Sequence, residues 1–227
     1  MSDQINYTQI GEHCNLWRNF DDVQLHNNWT SLISIIDWYT ENQDKMGQVH
    51  GPGKWNDPDM IIAGNSEITD DQARAQMTLW SIWSAPLIMS NDLRNITATQ
   101  KEILQNEEVI AVDQDPLGKF GKMIPRAGNI VKEENISIYL KEMTPVVSGH
   151  FSYALAVLNR GDSSQNVTLH PWDLGMTNPD GYSVRDLWAR SDIGTIRGPN
   201  DSFSVMVNAT GVQFFKATAI VADYSYE

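Results

Sequence analysis

The sequence predicts a chain of α/β plus all-β class, in which parallel β/α units up to residue 118 precede an antiparallel β-sandwich over residues 119–227. In the first part, amphipathic helical stretches alternate with short apolar runs. In the second part, short strand-like runs are separated by turn residues. With 41% hydrophobic and 20% charged residues, the composition is that of a globular protein with a buried core.

Helices in the first part are indicated by apolar spacing and by capping residues. Apolar residues at helical spacing predict a helix over 28–46. Thr69 with Gln72, and Thr97 with Gln100, each match the capping box that begins a helix. We therefore expect two further helices, one after each of these pairs.

Two short runs lie between these helices. The run 55–60 is followed by the apolar Ile61 and Ile62, and the run 86–90 predicts a short buried strand. Strands that alternate with helices along a chain pair in parallel in most folds. The first part is therefore expected to hold a parallel sheet.

The second part contains five predicted strands, with turn residues between them. They cover residues 136–140, 153–158, 167–169, 182–187 and 203–207. Hairpin-like spacing of this kind is typical of antiparallel sandwiches.

The charge balance limits the classes of partner. Sixteen basic and 29 acidic residues give a net charge of −13, which repels phosphate backbones and anionic lipid surfaces. We therefore expect no nucleic-acid partner. No run approaches the roughly 20 apolar residues of a membrane-spanning helix, so no membrane span is predicted either.

Glycosylation sequons are more frequent than this composition gives by chance. Seven N-x-S/T triplets begin at Asn6, Asn28, Asn95, Asn135, Asn166, Asn200 and Asn208. This excess favours a chain that passes through the secretory pathway, although the first residues are polar and unlike a signal peptide. Cys14 is the single cysteine, so it is either free or paired outside this sequence. We expect an upstream portion with a signal peptide and more cysteines.

The first candidate catalytic group follows an apolar stretch. Arg18, Asp21 and Asp22 lie just beyond a predicted strand end, where β/α enzymes hold their catalysts. A neighbouring carboxylate disfavours ionisation of an aspartate, as a proton donor requires, and the guanidinium of Arg18 could hold a substrate hydroxyl. The alternative is that the two aspartates cap a helix or lie on a solvated loop.

The second candidate group is Asp57, Pro58 and Asp59. Proline drives the residue before it to extended geometry, so this turn aims the two carboxylates in set directions. Retaining glycosidases need two carboxyl groups about 5 to 5.5 Å apart, a distance that sequence spacing does not give. An ordinary Asp-Pro turn is the alternative.

Four long segments resemble the animal α-galactosidases and α-N-acetylgalactosaminidases of glycoside hydrolase family 27. They occur in the family's order and span nearly the whole first part. The segments are 13–22 (HCNLWRNFDD), 51–60 (GPGKWNDPDM), 85–94 (APLIMSNDLR) and 113–118 (DQDPLG).

The resemblance implies a fold and a site. The fold is the C-terminal part of a (β/α)₈ barrel, beginning just before strand six, followed by the β-sandwich. Asp22 resembles the general acid/base, Arg18 the residue that holds the sugar's 2-substituent, and Asp59 and Met60 residues near the galactose. Cys14 resembles a cysteine that pairs with one upstream. The family uses no metal or cofactor.

The resemblance also implies what lies outside this sequence. The family's nucleophile is an aspartate on barrel strand four, so we expect these 227 residues to be a fragment that lacks it. The implied substrate is a terminal α-galactoside of a glycolipid, glycoprotein or oligosaccharide, cleaved by a lysosomal or secreted homodimer. An α-N-acetylgalactosaminidase and a non-catalytic sugar-binding fragment remain the alternatives. Residues 23–28 form a small insertion relative to the family.

Overall fold

The computed structural model describes residues 5–26, 28–64, 67–125 and 134–221. The chain divides into two compact units, residues 1–122 and residues 123–227.

The first unit alternates helices with short strands. Its elements are α1 (Tyr7–His13), β1 (Leu16–Arg18), α2 (Asn28–Glu41), α3 (Gln43–Val49), β2 (Trp55–Asp57), α4 (Asp70–Ile82), α5 (Ala98–Leu104) and α6 (Glu107–Asp113). Strands β1 and β2 pair in parallel, with Arg18 opposite Asp57. A further parallel bridge joins Ile61 to Met89. The predicted α/β character of this part is confirmed.

Both predicted capping boxes are present. The Thr69 hydroxyl accepts from the Gln72 N–H at 3.2 Å, and the Gln72 side chain accepts from the Thr69 N–H at 3.0 Å. Thr97 and Gln100 repeat the arrangement at the start of α5. Each cap stabilises its helix by about 1 kcal/mol, because it satisfies N–H groups that the helix itself leaves without acceptors.

The helix predicted over 28–46 is two helices. It is interrupted at Asn42, whose side-chain amide donates to the Trp38 carbonyl at 2.8 Å. Asparagine side chains compete in this way for backbone groups and so disfavour a continuing helix. Helix α1 was not predicted, because Ile10 and the aromatic Tyr7 alone give no clear helical period.

The strand predicted over 86–90 is reduced to a single bridge. The Ile61 N–H donates to the Ile88 carbonyl at 2.8 Å, and the Ser90 N–H donates to the Ile61 carbonyl at 3.2 Å. The predicted burial is wrong: the side chains of Ile88 and Met89 are each 52% exposed. Within the described residues, no layer covers their apolar surface.

The strands of the second unit form two antiparallel sheets. The strands are β3 (Lys122–Met123, at the boundary between the units), β4 (Ile136–Val147), β5 (His150–Asn159), β6 (Gln165–Leu169), β7 (Tyr182–Asp186), β8 (Ser191–Ile196), β9 (Phe203–Val207) and β10 (Val212–Ala219). One sheet has the order β3-β4-β5-β10-β7-β8, and the other pairs β6 with β9. The last strand, β10, therefore lies between β5 and β7.

The core of the second unit draws on both sheets. Leu155 and Phe215 come from the larger sheet, and Val167 and Val207 from the smaller one; all four are at most 1% exposed. Burying each such side chain contributes about 1.5–3 kcal/mol. The predicted sandwich is confirmed, and its five predicted strands correspond to β4, β5, β6, β7 and β9.

Candidate active site

The parallel pairing of β1 and β2 brings two polar segments to one edge. Arg18 ends β1 and lies opposite Asp57, which ends β2. Asp22 and Asp59 follow a few residues beyond these strand ends. Because parallel strands end at the same edge of a sheet, both candidate groups meet there, on the side where β/α barrels carry their active sites.

Arg18 bridges the two candidate groups. Its Nη2 lies 2.8 Å from Asp22 Oδ1 and 2.6 Å from Asp59 Oδ2. It also donates to the Asp21 carbonyl at 3.2 Å. One Nη2 carries two hydrogens and here faces three acceptors, so at least one of these contacts can be given up to a substrate hydroxyl.

The two carboxylates differ in exposure. The Asp22 side chain is 80% exposed, the Arg18 side chain 32%, and the Asp59 side chain 14%. Asp59 is thus the fixed member of the cluster. Asp22 is open to solvent, as a group that exchanges protons must be.

Asp59 is held at three points. Its backbone has φ of 84°, a left-handed conformation that costs a residue with a side chain about 1 kcal/mol or more. Its N–H donates to Asp57 Oδ1 at 2.9 Å, and its carbonyl accepts from Trp80 Nε1 at 2.7 Å. Its Oδ2 accepts from the Val23 N–H at 2.7 Å, which ties the segment after Asp22 to this turn.

Helix α4 holds the segment that follows Asp59. Gln76, fully buried, donates to the Met60 carbonyl at 2.9 Å and accepts from the Ile62 N–H at 3.0 Å. Gln76 and Trp80 lie four residues apart, so both project from one face of the helix. Neither residue was predicted, since nothing in their spacing separates hydrogen-bonding side chains from ordinary core residues. Together they fix the position of Met60.

Asp57 is buried and accepts a hydrogen bond from the Asp59 N–H. Burial raises its pKa above the ordinary value of 3.8, and the hydrogen bond from the Asp59 N–H and the charge of Arg18 act in the opposite direction. The Asp57 carboxyl group therefore has a structural role, because it accepts from the Asp59 N–H. Burial disfavours its ionised form.

A buried polar network supports the strand ends. Asn56, fully buried, accepts from Trp17 Nε1 and from Asn19 Nδ2, both at 2.9 Å. The Tyr39 hydroxyl donates to Asn19 Oδ1 at 2.7 Å, and burial raises the Tyr39 pKa well above its ordinary value. These contacts cross from β1 to β2 and to α2, and they fix the residues on either side of Arg18.

A cavity of about 550 Å³ opens beside Asp22. We call it the side cavity. Its lining residues are Phe20, Asp21, Asp22, Gln24, His26, Thr30, Ser31 and Ser34. Among the residues that the structure describes, Arg18, Asp59 and Met60 do not line it. Asp22 thus contacts both Arg18, which pairs it with Asp59, and the side cavity.

The other predicted residues lie apart from this cluster. Cys14 is exposed with a free thiol, and its N–H donates to the Ile10 carbonyl at the end of α1. Of the predicted glycosylation sites, Asn28 is 4% exposed, whereas the other six are exposed. A glycan at Asn28 would require the first turn of α2 to open.

No group of three or more His, Cys, Asp or Glu side chains in the described ranges is placed to hold a metal ion. No helix in that part of the chain is long and apolar enough to cross a membrane.

Comparison with protein families gives two matches. The model described as alpha galactosidase A matches residues 1–115. The model described as the alpha galactosidase C-terminal beta sandwich domain matches residues 134–217. The two matched ranges lie in the first and second part of the chain respectively.

Several curated proteins are similar over most of this chain. α-N-acetylgalactosaminidase of Gallus gallus is 40% identical over 209 residues, which are 92% of this chain and 49% of that protein. The Mus musculus enzyme of the same name is 49% identical over 211 residues, 92% of this chain and 48% of that protein. Alpha-galactosidase A of Homo sapiens is 44% identical over 161 residues, 69% of this chain and 37% of that protein. The chain spans about half the length of the first two relatives, and less of the third.

Solved structures share the fold. α-Galactosidase I of Mortierella vinacea aligns with a TM-score of 0.74 at 24% identity, over 95% of this chain and 56% of that one. A β-L-arabinopyranosidase of Geobacillus stearothermophilus, from glycoside hydrolase family 27, aligns with a TM-score of 0.75 at 23% identity, over 96% and 48%. At these identities the likeness shows the fold alone.

Proposed function

Because the chain belongs to the α-galactosidase family, glycoside hydrolase family 27, we propose that the protein containing it is a retaining glycosidase that removes terminal α-linked galactose. Residues 1–118 are the C-terminal part of its catalytic barrel, and residues 119–227 are its β-sandwich domain. Its substrates are glycolipids, glycoproteins or oligosaccharides. The site needs no metal or cofactor.

The observation that carries this proposal is the Arg18 bridge between Asp22 and Asp59. An exposed carboxyl group beside a fixed cation and a fixed carboxylate can donate a proton to one atom of a bound sugar and hold its neighbouring hydroxyls. Arg18 and Asp59 bind the sugar ring, with Met60 at its edge. Asp22 acts on the glycosidic oxygen.

The proposed reaction has two steps. In the first, a nucleophilic carboxylate from the upstream part of the barrel bonds to the anomeric carbon, the glycosidic C–O bond breaks, and Asp22 gives its proton to the departing oxygen. In the second, Asp22 takes a proton from water, whose oxygen bonds to the anomeric carbon and displaces the enzyme carboxylate. The configuration at the anomeric carbon is retained because it inverts twice.

The Asp22→Asn variant of the complete protein tests this role. We expect turnover of natural glycosides to fall by about 10²–10⁴-fold, since an amide cannot supply the proton. A substrate whose leaving group needs no proton should retain its first step. The control is Asp162→Asn, which removes an exposed carboxylate in the second unit. Unchanged turnover of natural glycosides by Asp22→Asn would sink the assignment.

A second candidate is hydrolysis of terminal α-linked N-acetylgalactosamine. It is supported by the relatives named α-N-acetylgalactosaminidase, which match 92% of this chain at up to 49% identity. The two candidate activities are separated with two substrates that carry the same aryl leaving group, an α-galactoside and an α-N-acetylgalactosaminide. The measured quantity is kcat/KM for the α-galactoside divided by kcat/KM for the α-N-acetylgalactosaminide. A ratio above one supports the galactosidase, and a ratio below one supports the alternative.

The third candidate is a non-catalytic sugar-binding fragment. It is distinguished by the mass of the native polypeptide after enzymatic deglycosylation, detected with an antibody to the β-sandwich. A band near 25.6 kDa supports the fragment. A band near twice that mass supports the complete glycosidase, because this chain spans about half of its relatives.

We further propose that the complete protein is a lysosomal or secreted homodimer. The sequon excess supports passage through the secretory pathway. The exposed thiol of Cys14 supports a disulfide with an upstream cysteine, because a solvent-accessible thiol is open to a partner. The family provides the expectation of a dimer.

A further inference from the structure

We propose that the side cavity binds the leaving group, and that this leaving group is a sugar ring. This inference rests on the proposed function, and it names the part of the substrate that the cluster around Arg18 does not hold. Four steps support it: the position of the cavity, its chemistry, its size and its rigidity.

The position follows from what an acid/base must touch. Asp22 protonates the glycosidic oxygen, which is the atom that joins the two halves of the substrate. The sugar ring that is cleaved lies against Arg18 and Asp59. The leaving group must therefore extend from Asp22 to groups other than this pair. The side cavity provides such groups, since Asp22 lines it whereas Arg18 and Asp59 do not.

The lining suits a polyhydroxylated ring. The lining includes three hydroxyl residues on the first turns of α2 (Thr30, Ser31 and Ser34), together with Asp21 and the aromatic Phe20. A sugar presents hydroxyls that both donate and accept, and a C–H face that packs on an aromatic ring. A lipid chain would leave these polar groups without partners, at a cost in affinity.

The hydroxyls keep hydrogen-bonding capacity for a ligand. Ser31 Oγ accepts from the Gln24 N–H at 2.9 Å, which leaves its own hydrogen available. Ser34 Oγ donates to the Ser31 carbonyl at 2.7 Å, which leaves its lone pairs available. Ser31 thus offers a ligand a hydrogen-bond donor, and Ser34 offers it an acceptor.

Size and rigidity are also suitable. A volume of about 550 Å³ lies within the roughly 300–1,000 Å³ of small-molecule sites. The two residues after Asp22 are held in place: the Val23 N–H donates to Asp59 Oδ2 at 2.7 Å, and the Gln24 side chain donates to the Asp22 carbonyl at 3.2 Å. A lining segment that is already ordered lowers the entropy cost of binding.

The experiment compares two substrates of the complete protein. Methyl α-galactoside and galactosyl-α-1,6-glucose both need acid catalysis and present the same galactose, and they differ only in the leaving group. Ser34→Trp fills the cavity from an exposed helix position. Glu41→Trp is the matched control, because Glu41 is exposed on the same helix and does not line the cavity among the described residues.

We expect Ser34→Trp to lower kcat/KM for the disaccharide about tenfold or more relative to the methyl glycoside, because a displaced sugar loses several hydrogen bonds. Thr30→Val, which removes one hydroxyl at nearly constant volume, should lower the same ratio about two- to tenfold. Glu41→Trp should leave the ratio unchanged.

Equal effects on both substrates in the Ser34 and Thr30 variants would overturn the inference and leave the proposed function intact. Failure of the unsubstituted protein to cleave either substrate would instead refute the proposed galactosidase, and the leaving-group site with it. The two failures are thus distinguishable.

Discussion

Asp59 is a carboxylate that the surrounding chain has fixed in place. A left-handed backbone at a residue with a side chain persists only where neighbouring groups determine it. Three hydrogen bonds, from its own N–H, to its carbonyl and to its Oδ2, do so here. Because the Val23 N–H supplies the third, the position of the segment that follows Asp22 depends on Asp59.

Asp57→Asn should change how stability depends on pH. Burial raises the Asp57 pKa, so the folded state holds this proton more tightly than the unfolded chain does. The Asp57 contribution to stability is then present at low pH and declines as pH rises from the ordinary value of 3.8 through the raised one. Asparagine cannot ionise and still accepts from the Asp59 N–H. We expect the melting temperature of the variant to decline less over this range.

The measurement is the melting temperature of both complete proteins at a series of pH values upward from about pH 4, near the ordinary aspartate range. The difference between the two curves should grow as the pH rises through the raised pKa. Two parallel curves would show that Asp57 does not titrate in this range.

Asn28 should carry no glycan, although it begins a sequon. Its side chain is 4% exposed at the start of α2, and the attachment needs an accessible amide. Peptide mass spectrometry of the protein from a secretory host should find Asn28 unmodified, with glycans confined to the exposed sequons. A substantial glycosylated fraction at Asn28 would mean that modification precedes folding of this helix.

The residue-level site was predictable only in part. Arg18, Asp22 and Asp59 stood out because charged residues follow predicted strands and match a family pattern. The Val23 N–H and the indole of Trp80 did not, since a backbone donor has no sequence signal and a tryptophan on an apolar face looks like core. Both groups act by hydrogen-bonding to Asp59, which is distant in sequence, and that contact exists only in the folded chain.

At the scale of elements, α4 connects the core to the site. All of its residues from 75 to 82 are buried, and among them the side chains of Gln76 and Trp80 reach the backbone of residues 59–62. The helix is therefore both a packing element and the support of the Asp59–Met60 turn.

Trp80→Phe should impair catalysis without a large loss of core volume. It removes the donor to the Asp59 carbonyl, and an unsatisfied buried carbonyl costs about 1–3 kcal/mol. The turn should relax, and kcat/KM should fall about fivefold if the lower end of that cost, about 1 kcal/mol, appears in the transition state. The assay is steady-state kinetics together with the melting temperature.

Trp83→Phe provides the comparison, because Trp83 is a similarly buried indole that packs on Tyr39, Trp80 and Phe120. A similar loss of stability with little loss of kcat/KM is expected. If both variants lose activity equally, the effect of Trp80 is one of packing and not of its hydrogen bond.

Elements with local signals were predicted well, and those that depend on distant pairing were not. The capping boxes of α4 and α5 are visible within four residues of sequence. Strand β10 was missed because polar Gln213 and Lys216 interrupt its apolar run, and its burial comes from β5 and β7 on either side. Strand β8, mostly exposed, has no apolar face to detect.

At the scale of the whole molecule, the first unit exposes apolar surface. Strand β1 pairs only with β2 among the described residues, and Leu16 on it is 43% exposed. Ile88 and Met89 are each 52% exposed. Unpaired strand edges and apolar patches of this kind promote association with other chains.

The 227 residues expressed alone should therefore be unstable and inactive. We expect aggregation or rapid proteolysis of the first unit, and no hydrolysis of α-galactosides. Size-exclusion chromatography, limited proteolysis and an activity assay provide the measurements. Soluble, cooperatively unfolding material whose glycosidase activity is lost on Asp22→Asn would contradict this prediction.

The overall architecture came from two different sources. The change from helical to alternating periodicity near residue 118 is a property of the sequence itself. The barrel came from the resemblance, because two short parallel strands and a bridge do not by themselves distinguish a closed barrel from an open sheet.

The central place of β10 has a consequence for biosynthesis. Its neighbours β5 and β7 are translated well before it, yet the sheet between them stays open until β10 leaves the ribosome. The larger sheet can therefore close only after β10 has been synthesised, and not while β5 and β7 emerge. A premature stop codon a few residues before Val212 would therefore be as harmful to this domain as one much further upstream.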